Sequence, residues 1–194
     1  MTDAAWLRSL PTLTGDAPEL HTVNVPEDPV ALFRNWIVVA AEHGVAEPHA
    51  MTLATVDADG MPDARTLILK DVDERGWAFA GHRRSSKGIQ LAARPVAALT
   101  FWWQPLVRAV RVRGPVIEAP REECEADLAE RAPAARAGID PDDWMLWRVA
   151  PERVEFWQGR LDRDHLRLVY RPEVDGWIHE VISAGPAPTG EDRR

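Results

Sequence analysis

The stretch AMTLATVDADGMPDARTLILK, residues 50–70, decides the fold class of this 194-residue chain. Apolar and β-branched residues dominate both of its ends. The tetrapeptide Asp57-Ala-Asp-Gly60 between them is typical of a tight turn. The pattern predicts two strands, at residues 50–56 and 64–70. The periodicity of the apolar residues therefore changes near residue 50 to the spacing that is typical of a strand.

Secondary-structure signals in the rest of the chain favour strands over helices. Asp28-Pro29 opens a helix, because Asp is a favoured N-cap and Pro fits the first helical position, and Gly44 marks its end. Further short strands are predicted at residues 77–81, 95–103, 106–118, 153–157, 166–170 and 177–181. Further helices are predicted at residues 85–93 and 120–131, a turn at 71–76 and a loop at 132–143. Many short strands with few helices predict a mainly β fold, an antiparallel barrel or sandwich with attached helices.

Composition and charge exclude several classes of protein. With 45% hydrophobic and 28% charged residues, the chain resembles an ordinary globular domain. We predict one domain at 27–183, a flexible arm at 1–26 and a disordered tail at 184–194. The apolar runs are too short for a membrane span, and a net charge of −8 disfavours nucleic-acid binding. Without a signal-peptide pattern, and with Cys124 as the single cysteine, we expect a cytoplasmic protein.

The two lysines of the chain, Lys70 and Lys87, stand out among 23 basic residues. Lys70 ends the segment Arg65-Thr-Leu-Ile-Leu-Lys70, in which Arg65 and Leu67 share one face of the predicted strand. Such a strand suits a flat ligand with an anionic tail, but charged strand ends are more often simply solvated. Lys87 ends Arg83-Arg-Ser-Ser-Lys87 at a predicted helix start, which indicates a phosphate site or, equally well, a capped surface helix.

A third cluster follows the block Val154-Glu-Phe-Trp-Gln-Gly159. The spacing predicts Arg163, His165 and Arg167 on one face of a strand, where they repel one another unless an anion or polar ligand lies among them. Histidine is also the residue type whose side chain ordinarily changes charge near neutral pH. No further His or carboxylate stands at ligand spacing, so we predict no metal site.

These segments together resemble the FMN-dependent pyridoxamine 5′-phosphate oxidases and their relatives in phenazine biosynthesis. The resemblance runs from about Asp28 to Val181. It rests on DPVALFRNW, MTLATVDADGMPDARTLILK, SSKGIQLAARPVAALTFWW, VRVRG and WRVAPERVEFWQGRLDRDHLRLVY. It implies a split β-barrel homodimer with FMN at the dimer interface. The activity it implies is that of an oxidase, with hydride transfer from a small-molecule substrate to FMN and reoxidation by O2.

The resemblance also implies roles for individual residues. Lys70, Arg163 and His165 would bind the substrate, and Arg163 and His165 would flank it over the flavin ring as the catalytic residues. Trp157 and Arg167 would close the flavin site from the partner subunit. The full set of cofactor-binding residues would be Arg65, Thr66, Leu67, Lys70, Ala80, Gly81, Ser86, Lys87, Trp157 and Arg167.

The chain departs from the family pattern at cofactor positions. Ser86 stands where the family usually has Arg, Ala109 where it has Gln, and Ala80 and Gly81 replace an aromatic and a hydroxyl residue. The arginines that could compensate for lost charge are Arg83, Arg84 and Arg108.

The substrate-phosphate segment departs further. The stretch LAERAPAARAGI, residues 128–139, lacks the family's Tyr and Ser, and leaves Arg131 and Arg136 as candidate phosphate ligands. A substrate other than pyridoxamine or pyridoxine 5′-phosphate, such as an intermediate of secondary metabolism, is therefore at least as well supported. Two alternatives remain open: a flavin- or deazaflavin-dependent reductase, and a non-catalytic flavin or haem binder.

Overall fold

The computed structural model describes residues 2–18, 20 and 24–183, so the predicted tail at 184–194 lies outside the described residues. This part of the chain is mainly β with attached helices, as predicted. Its strands are β1 Ala50–Val56, β2 Pro62–Ile68, β3 Asp71–Asp73, β4 Gly76–His82, β5 Val96–Trp103, β6 Arg108–Glu118, β7 Trp144–Val149, β8 Arg153–Gln158, β9 Leu166–Glu173 and β10 Gly176–Ser183. Its α-helices are α1 Asp3–Ser9, α2 Pro29–Glu42, α3 Ser86–Ala93, α4 Arg121–Glu130 and α5 Pro133–Arg136. None of the helices in the described residues is long and apolar enough to cross a bilayer.

The strands form one antiparallel sheet that curls into a half-barrel, and β6 is the strand at which the sheet branches. Arg108–Arg113 of β6 pair with β8, whereas Val116–Glu118 pair with β7. Between these segments lies Gly114, where a Cβ would sit 1.9 Å from the carbonyl oxygen of Ala150. Only glycine allows this close approach of two backbones. One branch runs β10-β9-β8-β6-β5-β1-β2, and the other continues from β6 through β7 and β4 to β3.

Helix α2 supplies the aromatic centre of the core. Its predicted start is confirmed, since the Asp28 carboxylate accepts hydrogen bonds of 2.9 and 3.2 Å from the free N–H groups of the first turn. Phe33 packs with its ring centroid 4.9 Å from that of Phe101 and 5.6 Å from that of Trp77. Burying rings of this size stabilises the fold by about 2–3 kcal/mol each, so α2 holds the two branches of the sheet together.

The sequence analysis missed two strands and misplaced a third. Strand β7 pairs with both β4 and β6, and all six of its residues are buried, so both of its faces are covered and the sequence shows no alternation there. Strand β3 has three residues and lies in a segment interpreted as a turn. Strand β2 begins at Pro62 and ends at Ile68, so Lys70 follows the strand instead of ending it.

Segments predicted as irregular contain short helices. In the amino-terminal arm, the Thr2 hydroxyl caps α1 by accepting from the N–H of Ala5 at 3.3 Å. The N–H of Asp16 donates to the carbonyl of Pro105 at 2.8 Å, which ties the arm to the barrel. The predicted loop at 132–143 contains α5 and a 3₁₀ turn at Pro141–Asp143. Helices of so few residues show too little periodicity to be read from a sequence.

Candidate active site

The amino terminus of α3 has no side-chain cap. The residue before the helix is Ser85, and its hydroxyl donates to the carbonyl of His82 at 2.6 Å instead of capping the helix. The same hydroxyl accepts a hydrogen bond of 3.0 Å from Nζ of Lys87. The N–H groups of the first turn, including those of Ser86 and Lys87, therefore remain open to an anion at the positive end of the helix dipole.

Lys87 is a partly buried cation that lies against Gly81. A Cβ at Gly81 would sit 2.3 Å from Nζ of Lys87, so glycine at this position makes room for the ammonium group. Burial lowers the pKa of Lys87 below 10.5, and the positive charge of Arg65 lowers it further. Among the described residues, no carboxylate lies within ion-pair distance of Lys87. A buried cation of this kind is stabilised by an anionic ligand.

Arg65 is fixed beside Lys87 by three neighbours. Its guanidinium donates to Thr55 Oγ1 at 2.5 Å, to Asp63 Oδ2 at 2.6 Å and to Gln90 Oε1 at 2.9 Å. We call Arg65, Gly81, Ser85 and Lys87 the α3 corner. Of the other predicted cofactor residues, Leu67 packs against the core, Ala80 is partly buried on β4, and Thr66 and Ser86 are exposed.

Lys70 lies in a second corner, which contains a carboxylate. Its Nζ is 3.5 Å from Oδ1 of Asp127, and the other carboxylate oxygen of Asp127 accepts a 2.8 Å hydrogen bond from Nε1 of Trp144. The guanidinium of Arg131 lies over the Trp144 ring, 4.6 Å from its centroid. We call Lys70, Asp127, Arg131 and Trp144 the α4 corner. The two lysines therefore have different electrostatic surroundings.

Trp157, His165 and Arg167 line a cavity of about 330 Å³ on the face of the sheet away from the core. The ring centroids of Trp157 and His165 are 5.1 Å apart. The remaining lining residues are Ala109, Arg111 and Glu155. We call this cavity the outer-face pocket. It brings together three of the residues that the sequence analysis selected.

Glu155 organises the arginines of the outer-face pocket. Its side chain is only 2% exposed, and it forms ion pairs with Arg111, with Arg153 at 2.6 Å and with Arg167 at 3.8 Å. A buried carboxylate needs such partners, and in return it fixes the cationic side chains around it. Glu155 and Arg111 were not among the selected residues. The block Glu-Phe-Trp-Gln-Gly contained the signal, because a Glu among buried residues of a strand requires a cation nearby.

The prediction that Arg163, His165 and Arg167 share one strand face is wrong. Strand β9 begins only at Leu166, and Arg163 lies in a turn with a φ of +68°. The turn is stabilised by the N–H of Arg163, which donates to the carbonyl of Arg160 at 3.1 Å. His165 joins the pocket through its ring, whereas Arg163 is exposed and is not a lining residue.

The α3 corner and the outer-face pocket are far apart within one chain. Arg65 lies on β2 and Arg167 on β9, and the strand order places five strand spacings between them. At about 4.8 Å per spacing, this is roughly 24 Å along a curved sheet. The Arg65 side chain also lies on the face opposite to that of Arg167, as shown by its neighbours Thr55 and Gln90. One protomer therefore does not bring these two groups of predicted residues together.

The arginines proposed as compensating groups are engaged elsewhere. Arg83 pairs with Glu118 at 3.4 Å, and Arg84 pairs with Asp143 at 3.4 Å. Arg108 is buried with its guanidinium 4.1 Å from the centroid of a Trp36 ring, and its burial lowers its pKa to about 10. A further candidate, Arg136, donates to the carbonyl of Ala129 at 3.1 Å. These arginines belong to neither corner nor to the outer-face pocket.

Comparison with known proteins identifies the family. Residues 38–158 match the family model described as pyridoxamine 5′-phosphate oxidase, and residues 144–184 match the pyridoxine 5′-phosphate oxidase C-terminal dimerisation region. A pyridoxine/pyridoxamine 5′-phosphate oxidase of Pseudomonas paraeruginosa is 42% identical over 198 residues, which cover 84% of this chain and 92% of the relative. One of Thermosynechococcus vestitus is 40% identical over 182 residues, covering 78% and 86%.

Solved structures show the same fold. PhzG of Burkholderia lata, in complex with tetrahydrophenazine-1-carboxylic acid, has a TM-score of 0.80 at 23% identity and covers 87% of this chain and 100% of that one. A pyridoxamine 5′-phosphate oxidase-related FMN-binding protein of Nostoc punctiforme has a TM-score of 0.64 at 22% identity, with coverages of 77% and 96%. The split-barrel prediction is confirmed, and the match to a dimerisation region supports a homodimer. The chain belongs to the pyridoxamine 5′-phosphate oxidase family of FMN-dependent oxidoreductases.

Proposed function

We propose that this protein is a cytoplasmic FMN-dependent oxidase that takes a hydride from a small organic substrate and passes the electrons to dioxygen. The observation that carries the proposal is the α3 corner. There a partly buried lysine with a lowered pKa lies beside an uncapped helix terminus, and no carboxylate of the described residues neutralises it. This chemistry fits the phosphate of FMN, which would supply a negative charge to Lys87, whereas Asp63 already pairs with Arg65.

The residues of the α3 corner fit the cofactor for separate reasons. Lys87 and Arg65 would neutralise the phosphate, and the first-turn N–H groups at Ser86 and Lys87 would donate hydrogen bonds to it. Thr66 lies on the edge strand β2, where backbone groups are open on one side. Gly81 lies on β4 against Lys87, and its neighbour Ala80 has a small side chain that would leave space for a ring. When bound, FMN would supply the redox chemistry, accepting a hydride equivalent and reacting with dioxygen.

The outer-face pocket would complete the site from a second copy of the chain. Trp157 and Arg167 lie four and five strand spacings away from Arg65, so they can contact the same flavin only as Trp157 and Arg167 of the partner subunit. In an isologous dimer each subunit contributes both halves once, which gives two equivalent sites. The matched dimerisation region includes β7 to β10, the segment that carries this pocket.

His165 and Arg163 would bind the substrate and orient it. The Nδ1 atom of His165 accepts a 3.1 Å hydrogen bond from the backbone N–H of Arg160. A backbone N–H can only donate, so the neutral ring carries its proton on Nε2 and presents that N–H to a ligand. Arg163, exposed on its turn, would hold the substrate beside His165 and polarise the site from which the proton leaves.

The visible spectrum of the purified protein, followed by anaerobic mixing with pyridoxamine 5′-phosphate or unphosphorylated pyridoxamine, tests this function. We expect a yellow protein whose flavin absorbance is bleached by at least one of these amines and returns on admission of air. Bleaching by a reduced nicotinamide, but by neither amine, would favour a reductase. A protein that cannot be loaded with FMN would contradict the proposal.

A further inference from the structure

The α4 corner places a carboxylate directly beside Lys70, the residue implied to contact both cofactor and substrate. Oδ1 of Asp127 is 3.5 Å from Nζ of Lys70. The Asp127 side chain is 11% exposed and that of Lys70 is 28% exposed, so the pair is partly shielded from solvent. The positive charge of Lys70 is therefore already compensated within the chain.

Trp144 fixes Asp127 in this position. Its indole Nε1 donates a 2.8 Å hydrogen bond to Oδ2 of Asp127, and the Trp144 side chain is itself buried on β7. The opposite oxygen, Oδ1, faces Lys70 and keeps lone pairs for a further donor. Asp127 cannot turn away from an incoming ligand without leaving the buried indole N–H unsatisfied.

Arg131 adds a second cation to the α4 corner, but the Asp127 carboxylate still lies beside Lys70. Its guanidinium lies on the Trp144 ring, and Nε and one terminal nitrogen point to the carbonyl of Ala135 at 3.4 Å. Lys70, Arg131 and Asp127 together carry one net positive charge. A phosphate dianion placed beside Lys70 would meet this carboxylate, and it has no proton to donate to Oδ1. An alcohol can donate to Oδ1 of Asp127 and accept from Nζ of Lys70 at the same time.

We propose that Asp127 is a specificity-determining residue that makes the site prefer a substrate with an uncharged hydroxyl group beside Lys70 over the corresponding phosphate ester. This inference rests on the proposed function, because it places the substrate next to Lys70. It assigns the substrate class as unphosphorylated, hydroxyl-bearing small molecules, in contrast to the phosphorylated substrates in the names of the relatives. Asp127 contacts the ligand and takes no part in the redox step.

The test compares binding of pyridoxine and pyridoxine 5′-phosphate by calorimetry. The protein is loaded with FMN, reduced and kept anaerobic, so that no turnover occurs during the titration. The informative variant is Asp127→Asn, which removes the charge but keeps an oxygen acceptor for the Trp144 indole. Glu122→Gln is the matched control, because it removes one negative charge from an exposed position on the same helix. Asp127→Ala is the second variant, and the thermal midpoint of each protein checks its folding.

We expect Asp127→Asn to shift the preference toward the phosphate ester by about tenfold or more, since a like charge a few ångströms away is removed. Asp127→Ala shifts it in the same direction, whereas Glu122→Gln leaves it within about twofold of wild type. An unchanged preference in both Asp127 variants would overturn the inference. So would wild-type protein that binds the phosphate ester more tightly than the alcohol, or that binds neither ligand.

Failure of this inference and failure of the proposed function give different results. If the substrate bleaches the flavin but the Asp127 variants keep the wild-type preference, the oxidase function stands and the specificity role is wrong. If the preference shifts as expected but neither amine nor alcohol bleaches the flavin, the specificity role stands and the oxidase function is wrong.

Discussion

The two lysines of this chain lie in two corners of the barrel that differ in whether a carboxylate compensates the positive charge. In the α3 corner, Lys87 is partly buried beside Arg65, and its Nζ donates to the hydroxyl of Ser85 at 3.0 Å. In the α4 corner, Lys70 has Asp127 at 3.5 Å, and Asp127 is in turn bound by Trp144. A cation matched within the chain stabilises structure, whereas an unmatched one at a helix terminus marks a place for an anionic ligand.

Helix α4 also contributes to the strongest example of a cation that is neutralised by carboxylates of the same chain. The guanidinium of Arg148, on β7, is 7% exposed and pairs with Asp71 at 2.9 Å, Asp73 at 3.1 Å and Glu123 at 3.2 Å. These partners come from β3 and α4, so the cluster joins three elements, β3, α4 and β7. Hydrogen bonds from Arg75 and Arg148 lower the pKa of the Glu123 carboxyl. We expect this cluster to matter for stability and the α3 corner to matter for the cofactor.

The largest effect is expected from Arg148→Ala. It leaves three carboxylates around a buried space, and breaking a buried ionic cluster typically costs about 3–5 kcal/mol. For a chain of this size the thermal midpoint would fall by roughly 6–20 °C. Circular dichroism during heating and urea unfolding measure this loss. Arg75→Ala is the control: that side chain is 49% exposed, and we expect a loss below about 1 kcal/mol. Similar losses of stability in Arg148→Ala and Arg75→Ala would contradict the expected difference between the buried and the exposed arginine.

The second effect concerns Lys87→Ala. Losing a charged hydrogen bond to the phosphate is worth about 1.5–3 kcal/mol, so the dissociation constant of FMN should rise roughly 10- to 150-fold. The stability of the cofactor-free protein should not fall, because an uncompensated buried charge has been removed. Flavin fluorescence titration measures the affinity. Lys70→Ala should weaken FMN binding less than Lys87→Ala, and the reverse order would contradict the comparison of the two corners.

Arg163 sharpens the comparison because it lies in neither corner. If Arg163 binds the substrate from its exposed turn, Arg163→Ala should lower kcat/KM by about 10- to 100-fold. The FMN affinity should stay within about threefold of wild type. Steady-state kinetics combined with flavin titration separate the two quantities. Leu161→Ala changes a neighbouring exposed residue of the same loop and serves as the control. Equal losses of turnover and FMN affinity in Arg163→Ala would refute a role in substrate binding.

The smallest effect is a dependence on pH. The pKa of Lys87 is lowered by burial and by Arg65, so the ammonium group loses its proton below its ordinary value of 10.5. FMN affinity should therefore fall as the pH rises through this lowered pKa. Stability of the cofactor-free protein should change in the opposite direction, because the unfolded chain binds more protons in that interval. Lys87→Arg stays charged and should lose the pH dependence of FMN affinity; if it keeps the wild-type profile, another group titrates.

The sequence correctly predicted those features of the fold that depend on local residue patterns. Asp28 as an N-cap, the turn at 57–60, and the starts of α3 and β9 follow from short-range chemistry, and each lies within a residue or two of its predicted place. Lys70 and Lys87 stood out because lysine is rare in this chain. The resemblance added the split barrel, which the fold comparison confirms.

Other features depended on contacts that only the fold creates. Strand β7 is buried on both faces, so its sequence carries no period of two. Glu155 and Arg111 lie 44 residues apart in the sequence, and Lys70 and Asp127 are also far apart in the sequence although they meet in the fold. The turn at Arg163 with its positive φ overrides the alternation that predicted one cationic strand face. These pairings are tertiary, and residue spacing alone does not reveal them.

The most direct measurement of the central claim is a mixed-dimer experiment. Lys87→Ala breaks the α3 corner, and Trp157→Ala combined with Arg167→Ala breaks the outer-face pocket. If each flavin site joins the two from different subunits, dimers containing one chain of each type have one intact site and one doubly broken site. Co-expressed, randomly mixed chains should then regain tight FMN binding in about a quarter of all sites. No recovery above the separate variants would place both halves in one chain and contradict the shared site.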